Sequence, residues 1–142
     1  MIFKVNYSKD KSNKSSELII NTKDINFFDY DKNNNLLIIN YVNDEEIHFN
    51  CNKKEFKIIF DKISSIPEEY KNNFKSIETK DETILFNTLN FKYYTVNNSN
   101  NINIVGLSFI TYNASAYCDI LIEDEKQLNQ IKYDLFTILR DA

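Results

Sequence analysis

The sequence predicts an α+β fold of antiparallel sheets, and three observations carry that prediction. Short strand-like runs are joined by polar turns, and an order of three such runs followed by one amphipathic helix occurs twice, over residues 25–65 and 91–140. The third observation is size: 142 residues with 42% hydrophobic content can bury about two thirds of the unfolded surface, enough for one core. The expectation is a single domain over 1–142. It is read as a pseudo-repeat of two strands-then-helix (βββα) halves, 1–80 and 81–142, with the helices packed on one sheet face.

In chain order, residues 1–7 alternate like a strand, 8–16 form a polar loop and 17–22 read as a second strand. Strands follow at 25–30, 36–42 and 45–51. Between the last two, Asn43-Asp44 reads as a two-residue hairpin turn, because Asn and Asp tolerate the positive φ that such a turn demands. That turn pairs Val42 with Glu45, Asn40 with Ile47, Ile38 with Phe49 and Leu36 with Cys51 on one mostly apolar face. Tyr41, Ile39 and Leu37 then oppose Glu46, His48 and Asn50 on the other.

The first helix carries Phe56, Ile59, Phe60, Ile63 and Ile66 at three-and-four spacing, with Asn52 and Glu55 placed as a capping box. Pro67 sits in the first turn of a predicted short second helix, whose apolar positions are Ile66, Tyr70, Phe74 and Ile77. Residues 83–89 and 91–96 are the next strands, 97–101 a polar turn, and 102–112 and 115–122 a hairpin about Asn113-Ala114. In that register Thr111, Phe109, Leu107 and Val105 oppose Ala116, Cys118, Ile120 and Ile122 on an apolar face. Tyr112, Ile110, Ser108 and Gly106 oppose Ser115, Tyr117, Asp119 and Leu121 on a mixed one. The last helix spans 125–140, with Leu128, Ile131, Leu135, Ile138 and Leu139 as its stripe and Asp124 with Gln127 as its cap.

Composition narrows the function classes. The chain has one Gly, one Pro, no Trp and 22 Asn, and Arg140 is its sole arginine. Asn, Lys, Ile, Phe and Tyr all have A/T-rich codons, so genome base composition accounts for much of this bias. Arginine scarcity nonetheless removes the guanidinium groups that bidentate recognition of phosphate, carboxylate or guanine uses. No apolar run approaches the length that crosses a membrane, and the first residues lack a signal-peptide core. Two cysteines do not make a disulfide framework. These features lead to the expectation of a cytoplasmic protein.

No catalytic, cofactor or metal assignment follows. His48 is the single histidine, and Cys51 points to the opposite face of its strand, so the two do not form a nucleophile–base pair. Cys51 and Cys118 fall on apolar faces and read as small hydrophobes. The carboxylates at 68–69 and 123–125 suit helix N-termini, where negative charge is favoured. One glycine excludes Gly-rich phosphate loops, and no Gly-x-Ser-x-Gly, His-Glu-x-x-His or Cys-x-x-Cys occurs. Gly106, in mid-strand, marks a bulge or a close contact. The expectation is a protein that is not an enzyme and holds no cofactor.

What remains is the mixed sheet face. Ile39, Tyr41 and His48 in one half, and Ile110, Tyr112, Tyr117 and Asp119 in the other, are the candidate partner-binding residues, since Tyr joins a large apolar body to a polar tip. The alternative for the same residues is burial between the halves or in a homodimer.

The doubled element order over residues 25–140 is similar to the layout of Whirly and PUR-type single-stranded nucleic-acid binders, with three strands per half here rather than four. That resemblance implies base stacking on sheet aromatics. A net charge of −4 with one Arg argues against nucleic acid, because backbone binding needs a cationic surface. The leading expectation is a small acidic binding or inhibitor protein, of the immunity or phage anti-defence type, that engages a partner protein with a basic surface. A single-stranded nucleic-acid-binding module of that layout is the runner-up, and a self-associating structural subunit is the further alternative.

Overall fold

The computed structural model describes residues 2–7, 16–65, 73–111 and 115–141. Over those residues it is an α+β fold, mostly strand, with two helices and antiparallel sheets throughout. Strands β1 (Ile2–Tyr7) and β2 (Ser16–Asn21) form a two-stranded ladder. A short 3-10 turn, Thr22–Asp24, leads into β3 (Ile25–Asp31), β4 (Leu36–Tyr41), β5 (Glu46–Asn50) and α1 (Lys53–Ser64). Then come β6 (Phe74–Glu78), β7 (Glu82–Asn87), β8 (Phe91–Ser99), β9 (Ile102–Ile110), β10 (Ser115–Ile122) and α2 (Glu125–Arg140).

The larger sheet has the order β5-β4-β3-β7-β6, and the smaller one β10-β9-β8. Strand β7, beyond residue 80, therefore sits inside the first sheet, hydrogen-bonded to β3 and β6. As a central strand, β3 buries both faces. Phe28 and Tyr30 point to the core beneath α1, while Phe27 points to the second core.

Helix α1 forms where its cap and stripe say it should. The Asn52 side chain accepts from the Glu55 N–H at 2.8 Å, and the Glu55 carboxylate accepts from the Asn52 N–H at 3.0 Å. Such a cap contributes about 1 kcal/mol. Phe56, Ile59 and Ile63 are buried against Phe28, Leu37, Ile39 and Phe49, and Phe56 stacks on Tyr30 with ring centroids 4.3 Å apart. Truncating the fully buried Ile63 to Ala would cost about 2–5 kcal/mol. On the other face of the large sheet, Phe27, Ile77, Ile84 and Phe86 meet Val105, Leu107, Phe109, Cys118 and Ile120 of the small sheet, with Leu128, Ile131 and Leu135 of α2. Phe27 and Phe109 lie 5.3 Å apart at the centre of this contact. The five-stranded sheet thus lies between α1 on one side and the small sheet with α2 on the other.

The β4–β5 hairpin departs from the expected register by one residue. Its turn is Val42-Asn43-Asp44, three residues long: Asp44 N–H donates to the Tyr41 carbonyl at 2.9 Å, Asp44 has φ of 68°, and Tyr41 N–H donates to the Glu45 carbonyl at 2.8 Å. This is a type I turn followed by a left-handed residue. The Asn43 side chain accepts from Glu45 N–H at 3.0 Å and favours it over the two-residue form. The pairs become Leu37 with Phe49, Ile38 with His48 and Ile39 with Ile47. A one-residue slip turns a strand over, so Leu37 and Ile39, expected on the mixed face, enter the α1 core.

Three further expectations change. Phe74 and Ile77 belong to β6 rather than to a helix, because β6 pairs along β7 and alternation sends Phe74 to the α1 core and Ile77 to the second core. The rest of that expected helix, 66–72, lies outside the described residues. Strand β8 runs on through 97–99, and the turn is Asn100-Asn101, both at positive φ (53° and 64°), which is the two-residue hairpin form. Between β9 and β10 the register is shifted by two: Ser115 opposes Ile110 and Cys118 opposes Leu107. A shift of two preserves the faces, so Leu107, Phe109, Ala116 and Cys118 remain inward. The expected Asn113-Ala114 turn lies outside the described residues.

Candidate functional site

The outward face of the small sheet is built by alternation along three strands. Tyr93 opposes Ser108, which opposes Tyr117; Thr95 opposes Gly106, which opposes Asp119; Asn97 opposes Ile104, which opposes Leu121. Large apolar groups are left in solvent here, with Ile110 and Tyr117 each 56% exposed and Leu121 54%. The Tyr93 and Tyr117 hydroxyls meet at 3.4 Å across the middle strand. The hydrogen bond with Tyr117, and then the nearby Ser108 hydroxyl, pull the Tyr93 hydroxyl below the usual phenol value. Gly106 is the close contact expected of it: an added Cβ would lie 2.7 Å from Thr95 Oγ1 and 3.1 Å from Asp119 Oδ1.

Beside this face lies an acidic groove. Asp29 and Asp31 alternate with core aromatics along β3, so both leave the α1 core and look toward the small sheet. Asp31 opposes Glu82 and Asp29 opposes Ile84 across the β3–β7 ladder, which makes Asp29 and Glu82 diagonal neighbours on one face. They border a groove of about 320 Å³ with Asp81, Ile38, Asp119 and Leu121. Asp119 and Leu121 belong to the outward face of β10 as well, so the Tyr-bearing face and the groove are one continuous surface.

Electrostatics follow from that placement. Burial, then the hydrogen bond and negative charge of Asp29, push the Glu82 carboxyl up to about 8. A backbone N–H from Leu121 opposes the shift. Burial also raises Asp29, against the hydrogen bond from Glu82. Asp31 is lowered, chiefly by the Asn34 amide, which donates to its Oδ2 at 2.7 Å. Lys32, beside the groove, is engaged elsewhere: its Nζ donates to Glu78 Oε1 at 2.9 Å and to the Thr79 carbonyl at 2.7 Å. Among the described residues no three His, Cys, Asp or Glu side chains are placed to hold a metal ion. Burial pushes the Cys51 thiol up to about 12 and raises that of Cys118.

The residues singled out from sequence are distributed over three places. Ile110, Tyr117 and Asp119 stand together on the outward face of the small sheet. Ile39 is fully buried and Tyr41 half-buried in the α1 core, a consequence of the three-residue turn. His48 is exposed on the groove side of the large sheet, two strands from Asp29, with Nε2 3.0 Å from Glu46 Oε2. Tyr112 lies outside the described residues. Sequence reading passed over Tyr93, Leu121 and the Asp29–Glu82 pair. The available signal was the Phe28-Asp29-Tyr30-Asp31 alternation, which puts two carboxylates on one side of a strand whose other side is aromatic.

Compared with protein-family models, with curated proteins and with solved structures, the chain matches none. No helix among the described residues is long and apolar enough to cross a membrane.

Proposed function

We propose that the protein is an acidic binding protein that docks a basic surface of a partner protein onto the outward face of the small sheet and the adjoining groove, in the manner of an immunity or anti-defence inhibitor. The observation that carries this reading is the continuity at Asp119 and Leu121: exposed Tyr93, Tyr117, Ile110 and Leu121 run directly into a rim of Asp31, Asp81 and Asp119, beside the protonated Glu82. An apolar aromatic patch supplies contact area that excludes water, and a carboxylate rim beside it selects for cations and speeds encounter. A net charge of −4 adds to the same field. The doubled order, β3 to β5 with α1 and β8 to β10 with α2, belongs to this reading as two βββα units, one supplying Asp29 and Asp31 and the other the apolar face. Base stacking on Tyr93 and Tyr117 is the competing use of the face, and the neighbouring carboxylates disfavour it by repelling phosphate.

The test is affinity capture from host lysate with the full chain and two variants, Tyr93→Ala/Tyr117→Ala and Asp31→Asn/Asp119→Asn. The expected outcome is recovery of a basic protein by the parent, with loss in the first variant and salt-sensitive weakening in the second. Retention by both variants, or a salt-sensitive shift of labelled single-stranded oligonucleotide in place of protein capture, would overturn the reading.

A further inference from the structure

We infer that β8 is a pairing edge for a second copy of this chain, giving a continuous six-stranded sheet about a two-fold axis at Val96. This goes beyond the partner reading and does not depend on it. Exposed strand edges offer unpaired N–H and C=O groups, and folded proteins blunt them with charge, shortness, bulges or cover. Three of the four edge strands of the two larger sheets are blunted in this way. Strand β5 has five residues and presents Glu46 and His48. Strand β6 also has five, carries Lys75 and Glu78, and receives the Gln127 side chain from α2 on the Glu78 carbonyl. Strand β10 turns the Leu121 N–H onto Glu82 and carries Asp119. Strand β8 has nine residues; its bulge takes up Lys92 at one end, and from Tyr93 to Ser99 it contains no charge and no proline.

The hairpin geometry states which groups are free. The Asn100-Asn101 turn makes Ser99–Ile102 a hydrogen-bonded pair, and such pairs alternate along an antiparallel ladder. Thr95 and Asn97 occupy one kind of position and Tyr94, Val96 and Asn98 the other, so the latter three direct N–H and C=O away from β9. Placing Val96 opposite Val96 of a second copy sets Tyr94 opposite Asn98 and Asn98 opposite Tyr94. Each of these pairs has outward groups on both strands, and together they make about six backbone hydrogen bonds. Thr95 then faces Asn97 and Tyr93 faces Ser99, so no like charges meet across the axis. A strand with net charge would repel its own copy in this arrangement; this segment has none. Val96, 38% exposed, would cover its counterpart.

The contact is small, of the class that gives weak, concentration-dependent association, with dissociation constants between about 1 µM and 1 mM. Sedimentation velocity on the full chain across that range is expected to show a monomer passing to a dimer. Hydrogen exchange at Tyr94, Val96 and Asn98 should slow as concentration rises. Val96→Pro removes an outward N–H while leaving the β8–β9 ladder intact, and Val96→Lys places two ammonium groups on the axis. Each is expected to weaken dimerisation at least about tenfold, with unchanged far-ultraviolet circular dichroism; Val96→Lys keeps the test sound should Val96→Pro unfold the strand. A parent chain that stays monomeric throughout, or a dimer that Val96→Lys leaves equally tight, would overturn the proposal.

Discussion

Glu82 at the start of β7 stands diagonally across the ladder from Asp29 in β3, and the two carboxyl groups share a hydrogen bond at the border of the groove. Burial is the larger reason that Glu82 holds its proton up to about 8, and the hydrogen bond and negative charge of Asp29 add to it, because two carboxylates so close do not both ionise readily. A folded-state value above the unfolded one means that the folded protein keeps a proton the unfolded chain has lost. Stability therefore falls as pH rises from the ordinary carboxylate value toward about 8, and Asp29, raised in the same direction, adds to the effect. Glu82→Gln should give a flatter profile. Thermal melts are expected to show the variant more stable than the parent near pH 8.5, with the two curves converging near about pH 5; parallel curves would count against the shared proton.

Gly106→Ala is expected to destabilise the protein by about 1–3 kcal/mol through crowding against Thr95 Oγ1. The crowding has an identified partner. In a Thr95→Ala background the same change should cost measurably less, so a double-mutant cycle in denaturant should return a coupling of about 0.5 kcal/mol or more. Additive costs would mean that the clash is relieved elsewhere.

Cys51 and Cys118 are buried, and both thiols are held protonated well above neutral pH. The thiolate is the reactive form. Ellman's reagent at about pH 8 should therefore label neither cysteine in the folded protein and both after unfolding in guanidinium, because access and ionisation return together. Rapid labelling of native protein would reopen a redox role.

Asp44 sits at φ 68° to close the three-residue turn, held by its own N–H on the Tyr41 carbonyl and flanked by the Asn43 side chain on Glu45 N–H. Glycine adopts that conformation without the Cβ penalty, whereas a β-branched residue is strongly disfavoured. Asp44→Gly should be neutral or stabilising by up to about 0.5 kcal/mol, and Asp44→Val destabilising by about 1–2 kcal/mol. The measurement is the urea midpoint of each; equal midpoints would argue for a different turn.

The parts of the fold that were legible in sequence are those set by neighbours along the chain. The Asn52–Glu55 box is local, and it forms as read. At α2 the cap is only half as read: Asp124 accepts from Lys126 N–H, while Gln127 leaves the expected box to bond the Glu78 carbonyl. Register was less legible. Asn43-Asp44 suits both a two-residue and a three-residue turn, and only the backbone angle at Asp44 distinguishes them, yet that choice decides whether Ile39 faces solvent or the core. The face holding Ile110, Tyr117 and Asp119 was legible because an error of two residues in register leaves alternation intact. The acidic groove was not, because Asp29 and Glu82 meet only when β7 enters the first sheet.

That entry has a consequence for how the chain is made. β3 is bonded on one side to β4, which follows it at once, and on the other to β7, whose residues come roughly half a hundred positions later. Until Glu82–Asn87 leaves the ribosome, β3 is itself a bare edge, and Phe27 has neither Phe86 nor Phe109 to meet. Chains grow at about 5–20 residues per second, so the nascent meander spends some seconds with its most aromatic strand uncovered. Slowing translation between β5 and β7 would lengthen that interval, and the yield of native protein is the quantity most exposed to it.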